Sequence, residues 1–138
     1  MILGIGTDIV ENSRFSEWKS YSDEKLSSIF SPEEINFLMA NPNLKTEQYF
    51  ASRFAAKEAF FKSLSNTLIH LKLNSTTFSF QFARKHVEVI LETWDIPTLK
   101  IDWKSFEEKI DKTIPQIKTD LSISHEKNYS IAFVILSL

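Results

Sequence analysis

Residues 47–65 are the part of the sequence whose structure is most constrained. This segment contains no glycine, no proline and no β-branched residue, and it is rich in Ala, Phe, Lys and Glu. Glycine, proline and β-branched residues are disfavoured inside helices, whereas Ala, Lys and Glu are favoured there. The segment therefore predicts one long α-helix, and the rest of the domain must pack on it.

Shorter patterns predict the remaining elements. Ser31, Pro32 and Glu34 form a capping box with proline at the first helical position, which predicts a helix that ends near Pro42. Asp102 is suited to cap a second short helix. We expect strands at 2–7, 121–125 and 129–136, helices at 9–18 and 103–110, and a β-hairpin made by 78–82 and 87–91.

Composition narrows the class of protein. The 138 residues suffice for one ordinary domain, carry a net charge of -2 and include no cysteine. Scattered basic residues on a slightly acidic chain give no general attraction to nucleic acid, and the lack of cysteine excludes disulfides and thiolate metal sites. No apolar run is long enough for a signal peptide or a membrane span, so we expect a single-domain cytoplasmic protein without membrane association.

Glu58 and Lys62 stand out within the predicted long helix. They lie one turn apart on the same stripe, and apolar residues flank that stripe on both sides. One interpretation is an i,i+4 ion pair that stabilises the helix by about 0.3–0.5 kcal/mol. The other is a partly buried site, in which Glu58 binds a hard divalent cation and Lys62 faces a phosphate oxygen. Taken alone, the helix favours the ion pair.

Asp8 also allows two interpretations. It follows the predicted strand at 2–7, where Gly4 and Gly6 permit close approach of another backbone or unusual dihedral angles. An aspartate after a strand commonly caps the next helix, and a carboxylate there can also present a metal ligand. The two roles are compatible, and capping is favoured when Asp8 is considered by itself.

The sequence has none of the common glycine-rich phosphate-binding loops. Ile9 stands where a dinucleotide fingerprint needs its third glycine, and no Gly-Lys is followed by Ser or Thr. Any phosphates must therefore be held by side chains, a metal ion or helix termini. His70 and His86 are expected on the surface, whereas His125 ends a strand and either reaches into a site or is structural.

Three ordered motifs together carry a family resemblance. They are GIGTDIVE at residues 4–11, FAAKEAF at 54–60 and SISH at 122–125. In this combination the sequence strongly resembles the bacterial holo-acyl-carrier-protein synthases, over about the first 65 and the last 20 residues. The resemblance implies an α+β fold of the 4′-phosphopantetheinyl transferase type, in which the long helix packs on a small antiparallel sheet.

The resemblance also implies an activity and a set of site residues. The expected reaction moves 4′-phosphopantetheine from coenzyme A to a serine of apo acyl carrier protein and leaves adenosine 3′,5′-bisphosphate. Asp8 and Glu58 fall on the Mg²⁺ ligands of the family, and Lys62 falls on a lysine that contacts the pyrophosphate. Glu58 is also a candidate acceptor of the serine proton, so Glu58 and Lys62 are the expected catalytic residues. Nucleotide phosphates and the phosphorylated ribose are expected at Arg53, Lys57 and His125.

Carrier recognition and assembly are further implications of the resemblance. Family members receive their acidic partner on a basic surface near Arg14, and Phe15 and Trp18 are additional candidate contacts in this chain. A homotrimer with sites between protomers is expected. Two rival functions remain open: another metal-dependent enzyme that acts on nucleotide pyrophosphates, and a catalytically silent module that binds carrier protein.

The middle of the chain departs from the family pattern. Ser65, Asn66 and Thr67 replace the glycine-containing loop that usually follows the long helix, and the usual Gly-Lys-Pro hairpin turn is missing. Residues 93–118 are a candidate insertion. These departures affect the expected contacts with the nucleotide base and leave the two metal carboxylates in place.

Overall fold

The computed structural model of the chain describes residues 1–74 and 78–138. Its helices are α1 (Asp23–Ser27), α2 (Pro32–Ala40), α3 (Thr46–His70), α4 (Phe80–Lys85) and α5 (Trp103–Ile110). Its strands are β1 (Ile2–Glu11), β2 (Val87–Leu91), β3 (Pro97–Ile101), β4 (Lys118–His125) and β5 (Tyr129–Ser137). Short 3₁₀ turns occupy Asn12–Phe15, Trp18–Ser20 and Thr93–Asp95.

Two antiparallel sheets support the long helix. The larger sheet has the strand order β1-β5-β4, and β2 and β3 form a separate two-stranded sheet. Burial alternates along β5, so that Ala132, Val134 and Leu136 face the core while Ile131 and Phe133 face outward. Because α3 covers the inner face, the architecture is α+β with a long helix on a small antiparallel sheet, which confirms the expected fold class.

Two glycines allow β1 to lie directly against α3. A Cβ atom built on Gly6 would lie 2.8 Å from Ser63 N and closer still to Ala59 O, and a Cβ on Gly4 would meet Ser63 O. Neither glycine has a positive φ. Of the two explanations for these glycines, close backbone approach is therefore the correct one. The contact places the middle of β1 beside the middle of α3.

An aromatic cluster fills the space between α3 and the segment that follows β1. The rings of Phe30 and Phe50 lie 4.5 Å apart, and those of Phe15 and Phe54 lie 5.4 Å apart. Phe106 of α5 is also completely buried, within 5.2 Å of the Phe78 ring and 5.9 Å of the Phe60 ring. Residues 93–118, predicted to be an insertion, thus contribute a core side chain from α5.

Glu34 joins three elements through its carboxylate. Its Oε1 accepts hydrogen bonds from Ser31 N at 2.8 Å, which completes the predicted capping box of α2, and from Lys57 Nζ at 2.7 Å. Its Oε2 accepts from Val89 N of β2 at 3.0 Å, and its backbone oxygen accepts from the Tyr49 hydroxyl at 2.6 Å. A side chain predicted to have a local capping role therefore connects α2, α3 and the small sheet.

Two predicted elements are wrong. Residues 9–11 do not begin a helix: β1 continues to Glu11 because these residues pair with β5, and two 3₁₀ turns follow. The predicted hairpin of 78–82 with 87–91 is also incorrect. Ser79 caps the short helix α4 by accepting a hydrogen bond from Phe82 N, and β2 pairs with β3 instead. The apolar alternation at Phe78 and Phe82 reflects packing on α5, with both rings against Phe106.

The other predicted elements are confirmed. The predicted helix α5 begins at Trp103 and is capped by Asp102, whose carboxylate accepts from Ser105 N at 3.3 Å. The two strands at the end of the sequence pair as β4 and β5. Over the described residues, no helix is both long enough and apolar enough to cross a membrane.

Candidate active site

Three predicted site residues meet where β1 crosses α3. Asp8 lies inside β1, opposite Ala132 of β5, and not after the end of a strand as predicted. The Lys62 ammonium group donates to Asp8 Oδ1 at 3.1 Å and to Thr7 O at 3.0 Å. Glu58 lies one helical turn before Lys62 and interacts electrostatically with Asp8 and Lys62. The structure therefore brings Asp8, Glu58 and Lys62 together from two elements.

The two carboxylates share an environment that disfavours two negative charges. Burial raises the pKa of Glu58, the negative charge of Asp8 and a side-chain hydrogen bond with Asp8 raise it further, and Lys62 and Arg14 oppose this shift. The Asp8 side chain is only 11% exposed, and its Oδ2 atom is buried without a hydrogen-bond partner among the described residues. A buried carboxylate oxygen without a donor is costly, and a cation would satisfy it.

The donor set at this point fits Mg²⁺. Within residues 1–74 and 78–138, no group of three or more His, Asp or Glu side chains is arranged to hold a metal ion. Mg²⁺ does not need such a group, since it commonly binds one or two carboxylates and completes its shell with water and substrate phosphates. Asp8, whose Oδ2 has no hydrogen-bond partner among the described residues, and Glu58, which interacts with it from α3, are suited to provide those carboxylates.

The structure contradicts the two simpler interpretations, in which Asp8 caps a helix and Glu58 forms an ion pair with Lys62. Asp8 does not cap a helix, because β1 continues for three residues beyond it and Glu11 precedes the first 3₁₀ turn. Among the described residues, the ion pair of Lys62 is with Asp8 and not with Glu58. The Glu58 and Lys62 side chains thus face β1 across the helix surface instead of stabilising α3 locally.

Arg14 extends this site toward the segment after β1. Its guanidinium carbon lies 5.1 Å from the centre of the Phe54 ring, and its positive charge opposes the rise in the Glu58 pKa. Trp18 is partly buried, whereas Phe15 is only 2% exposed. Phe15 is therefore not available for direct contact with a partner on this surface, contrary to the prediction. Its ring supports Trp18 from 5.0 Å away.

Lys57 lies on a different face of α3 and is buried. Its ammonium group donates to Ile29 O at 2.7 Å, to Glu34 Oε1 at 2.7 Å and to Arg84 O at 3.4 Å. Burial lowers the pKa of Lys57, and the Glu34 carboxylate opposes that shift. These three acceptors match the three N–H donors of a lysine, so Lys57 is held as part of the core.

A cavity of about 540 Å³ lies on the Lys57 side of α3, separate from Asp8 and Glu58. Its cationic lining comes from three elements: Lys57 of α3, Arg84 and Lys85 of α4, and Lys100 of β3. His86 also lines it. Glu88 and Asp102 add negative charge to the same lining. Arg84 was not among the predicted site residues, because 78–82 was interpreted as a strand and the residues after it as a turn.

Arg53 and His125 lie apart from the three clustered residues. The Arg53 guanidinium carbon is 4.0 Å from the centre of the Tyr49 ring, and Arg53 Nε is buried without a hydrogen-bond partner in the described part of the chain. His125 is exposed at the end of β4 and borders a cavity of about 290 Å³ with Ile9 and Tyr129. Across residues 1–74 and 78–138, neither side chain forms a hydrogen bond or ion pair with Asp8, Glu58 or Lys62.

The chain is similar to known proteins over nearly its whole length. The family model of the 4′-phosphopantetheinyl transferase superfamily matches residues 4–134. A holo-[acyl-carrier-protein] synthase of Halothermothrix orenii is 35% identical over 136 residues, which cover 98% of this chain and 97% of that protein. A holo-[acyl-carrier-protein] synthase of Ehrlichia chaffeensis is 36% identical over 138 residues, covering 99% of this chain and 97% of that protein.

Solved structures share the fold. A holo-(acyl-carrier-protein) synthase from Bacillus anthracis in complex with CoA (3′,5′-ADP) superposes with a TM-score of 0.68 and 28% identity, covering 99% of this chain and 96% of that chain. An ACPS-CoA complex from Chronobacterium ammoniagenes gives a TM-score of 0.73 and 26% identity, covering 96% of this chain and 95% of that chain. The family model, the relatives and the shared fold confirm the resemblance carried by the three motifs, and the chain belongs to the holo-[acyl-carrier-protein] synthases of the 4′-phosphopantetheinyl transferase superfamily.

Proposed function

We propose that this chain transfers the 4′-phosphopantetheine arm of coenzyme A to a serine hydroxyl of apo acyl carrier protein, as a step of fatty acid biosynthesis. The observation that carries the proposal is the meeting of Asp8, Glu58 and Lys62 where β1 crosses α3. In the reaction, a bond forms between the serine oxygen and phosphorus while a P–O bond of the pyrophosphate breaks. Adenosine 3′,5′-bisphosphate leaves, and the serine proton is lost.

The residues at the crossing suit this chemistry. A pyrophosphate is strongly anionic, so its charge must be neutralised before a nucleophile can approach. Mg²⁺ held by Asp8 and Glu58 would supply much of that neutralisation. Lys62 would add a positive charge on the same side, since its side chain is half exposed. Glu58, whose pKa is raised by burial, is proposed to accept the serine proton.

Other basic residues would receive the nucleotide end of coenzyme A. Lys57, in the lining of the large basic cavity, and Arg53, with its unpartnered Nε, are proposed to act on nucleotide phosphates. Because Lys57 already donates to three acceptors, we assign it mainly an electrostatic effect on the cavity. His125 is proposed to contact the phosphorylated ribose from a neighbouring protomer.

We also propose a homotrimer, because the outer face of the large sheet exposes apolar side chains. Ile9 is 62% exposed there, and Ile5, Ile131 and Phe133 are each more than 40% exposed. An apolar face of this kind is typical of surfaces that a second protein chain covers. Sedimentation velocity would test the trimer, and Phe133→Glu, which places a charge on that face, is expected to yield monomers.

The acyl carrier protein is proposed to dock near Arg14 and Trp18. Arg14 is exposed beside Glu58, so a bound acidic carrier would lie next to the reacting groups. Arg14→Ala is expected to raise the KM for the carrier more than that for coenzyme A. The absence of cysteine suits the reducing environment of the cytoplasm, which is the proposed location.

The decisive experiment is intact-mass spectrometry of apo acyl carrier protein after incubation with this protein, coenzyme A and Mg²⁺. The expected result is a mass gain of one phosphopantetheine that depends on the metal. Coenzyme A cleavage without a mass gain would instead indicate an enzyme that hydrolyses nucleotide pyrophosphates. Carrier binding without metal-dependent binding of coenzyme A would indicate a catalytically silent module.

A further inference from the structure

The charges around Asp8 are balanced before any ligand is considered. Asp8 and Glu58 carry the negative charge, Lys62 and Arg14 both act on Glu58, and Lys62 also forms an ion pair with Asp8. Lys62 makes the closest contact, at 3.1 Å from Asp8 Oδ1, and the Asp8 carboxylate is mostly buried. A divalent cation that enters alone must therefore approach a carboxylate whose charge is already neutralised by a neighbouring ammonium group.

We propose that Lys62 makes divalent-cation binding at Asp8 and Glu58 conditional on an anionic pyrophosphate ligand. This inference rests on the proposed function, because that function supplies the ligand. Without the ligand, Lys62 repels the cation and occupies one oxygen of Asp8. With the ligand, the pyrophosphate provides the missing negative charge, and Lys62 and the cation both interact with it.

The position of Lys62 permits this change of partner. Its side chain is 51% exposed, and among the described residues it donates to two acceptors, Asp8 Oδ1 and Thr7 O. An ammonium group with three donors can turn its third N–H toward a phosphate oxygen. Lys57 provides the contrast within the same helix, since it is 1% exposed and donates to three acceptors.

Two effects of Lys62 on the cation have opposite signs. By holding Oδ1, Lys62 orients the Asp8 carboxylate and leaves Oδ2 unpartnered, which favours a cation. By its charge, it disfavours a cation. Restricting one side-chain torsion from three staggered wells to one changes affinity by at most about threefold. Repulsion between charges of +2 and +1 about 5 Å apart changes affinity by at least about tenfold even in water. Repulsion should therefore dominate.

Titration with Mn²⁺, followed by the electron paramagnetic resonance signal of the free ion, tests this inference without measuring activity. In the absence of nucleotide, Lys62→Met is expected to bind Mn²⁺ about tenfold more tightly than the native chain. Lys62→Arg keeps the charge and should retain the native affinity. Lys104→Met is a matched control, since Lys104 is exposed on α5 with Glu108 as its ion-pair partner. This variant should also retain the native affinity.

The second part of the titration adds coenzyme A. In the native chain, coenzyme A is expected to raise Mn²⁺ affinity more than tenfold, and this enhancement should be smaller in Lys62→Met. Unchanged or weaker Mn²⁺ binding by Lys62→Met without nucleotide would overturn the inference, as would equal tightening in Lys62→Arg or Lys104→Met. A native chain that binds no Mn²⁺ even with coenzyme A would instead overturn the metal assignment in the proposed function.

Discussion

Replacing Gly6 with alanine would test the contact that places Asp8 beside α3. The added Cβ would lie 2.8 Å from Ser63 N, 2.9 Å from Ala59 C and closer still to Ala59 O. All three are backbone atoms, so no side chain can rotate away. Ordinary contact requires 3.4 Å or more, and the contact with Ala59 O is the most severe, so β1 must move away from α3 by more than about 1 Å. Overpacking of this kind costs about 1–3 kcal/mol, and we expect the upper end of that range.

The same displacement should impair the site. Asp8 lies two residues after Gly6 on the strand that moves, whereas Glu58 and Lys62 remain on α3. Misplacement of a reacting group by about 1 Å can lower a rate by about 100-fold. We therefore expect Gly6→Ala to lose transfer activity by roughly that factor even at temperatures where the variant is fully folded.

Urea denaturation and the intact-mass assay measure the two effects separately. Glu11→Ala, an exposed change on the same strand, is the control and should alter the free energy of unfolding by less than about 0.5 kcal/mol. Native stability and native transfer rates in Gly6→Ala would refute the reasoning, since the methyl group would then have been accommodated without separating β1 from α3.

Three further predictions concern the two site carboxylates, the buried Lys57–Glu34 pair and the Tyr49 hydroxyl. Asp8→Asn and Glu58→Gln should each lower the transfer rate by at least about 100-fold, because even residues that only support metal ligands contribute about 10–100-fold. Circular dichroism should show an intact fold in both variants. An active variant would contradict the metal assignment. Lys57→Met leaves the buried Glu34 carboxylate without its cation and should lower the free energy of unfolding, measured with urea, by about 3–5 kcal/mol. Adding Glu34→Gln to this variant should recover part of the loss. Purely additive effects of the two substitutions would argue against a stabilising Lys57–Glu34 ion pair. Burial raises the pKa of the Tyr49 hydroxyl to about 12. Its contribution to stability is therefore complete below pH 10 and is lost as the pH rises toward 12, so the free energy of unfolding should fall by about 1–2 kcal/mol over this range. Tyr49→Phe should remove that part of the pH dependence.

The long helix could be predicted from sequence because its signal is local. The prediction of 47–65 falls within α3, which extends from Thr46 to His70. The last turns were missed because Thr67 and Ile69 are β-branched and disfavour helix on their own. Thr67 is accommodated because its hydroxyl donates to Ser63 O at 2.9 Å and because Leu68 is completely buried beside it. Tertiary packing thus extends the helix beyond its local signal.

The site residues were identified by motif, whereas their contacts depend on the fold. Considered separately, Asp8 was better explained as a helix cap and Glu58 as an ion-pair partner of Lys62. Only the three motifs taken together indicated a metal site. The Lys62–Asp8 contact joins residues 54 positions apart, and the Lys57–Glu34 pair joins residues 23 positions apart. No periodicity or spacing rule relates such positions. For the same reason, the position of Lys57 in the helix did not predict that its side chain is buried and paired with Glu34.

The pairing of β1 with β5 has a consequence for how the protein acquires its site during synthesis. The helix α3 depends on contacts within a short stretch of chain and can begin to form early. The strand that carries Asp8 pairs with residues 129–137, which leave the ribosome more than 100 residues later. Contacts of such wide sequence separation form slowly, because a long loop must close first. The carboxylate nearest the start of the chain is therefore held in its final position only after almost the whole chain has been synthesised.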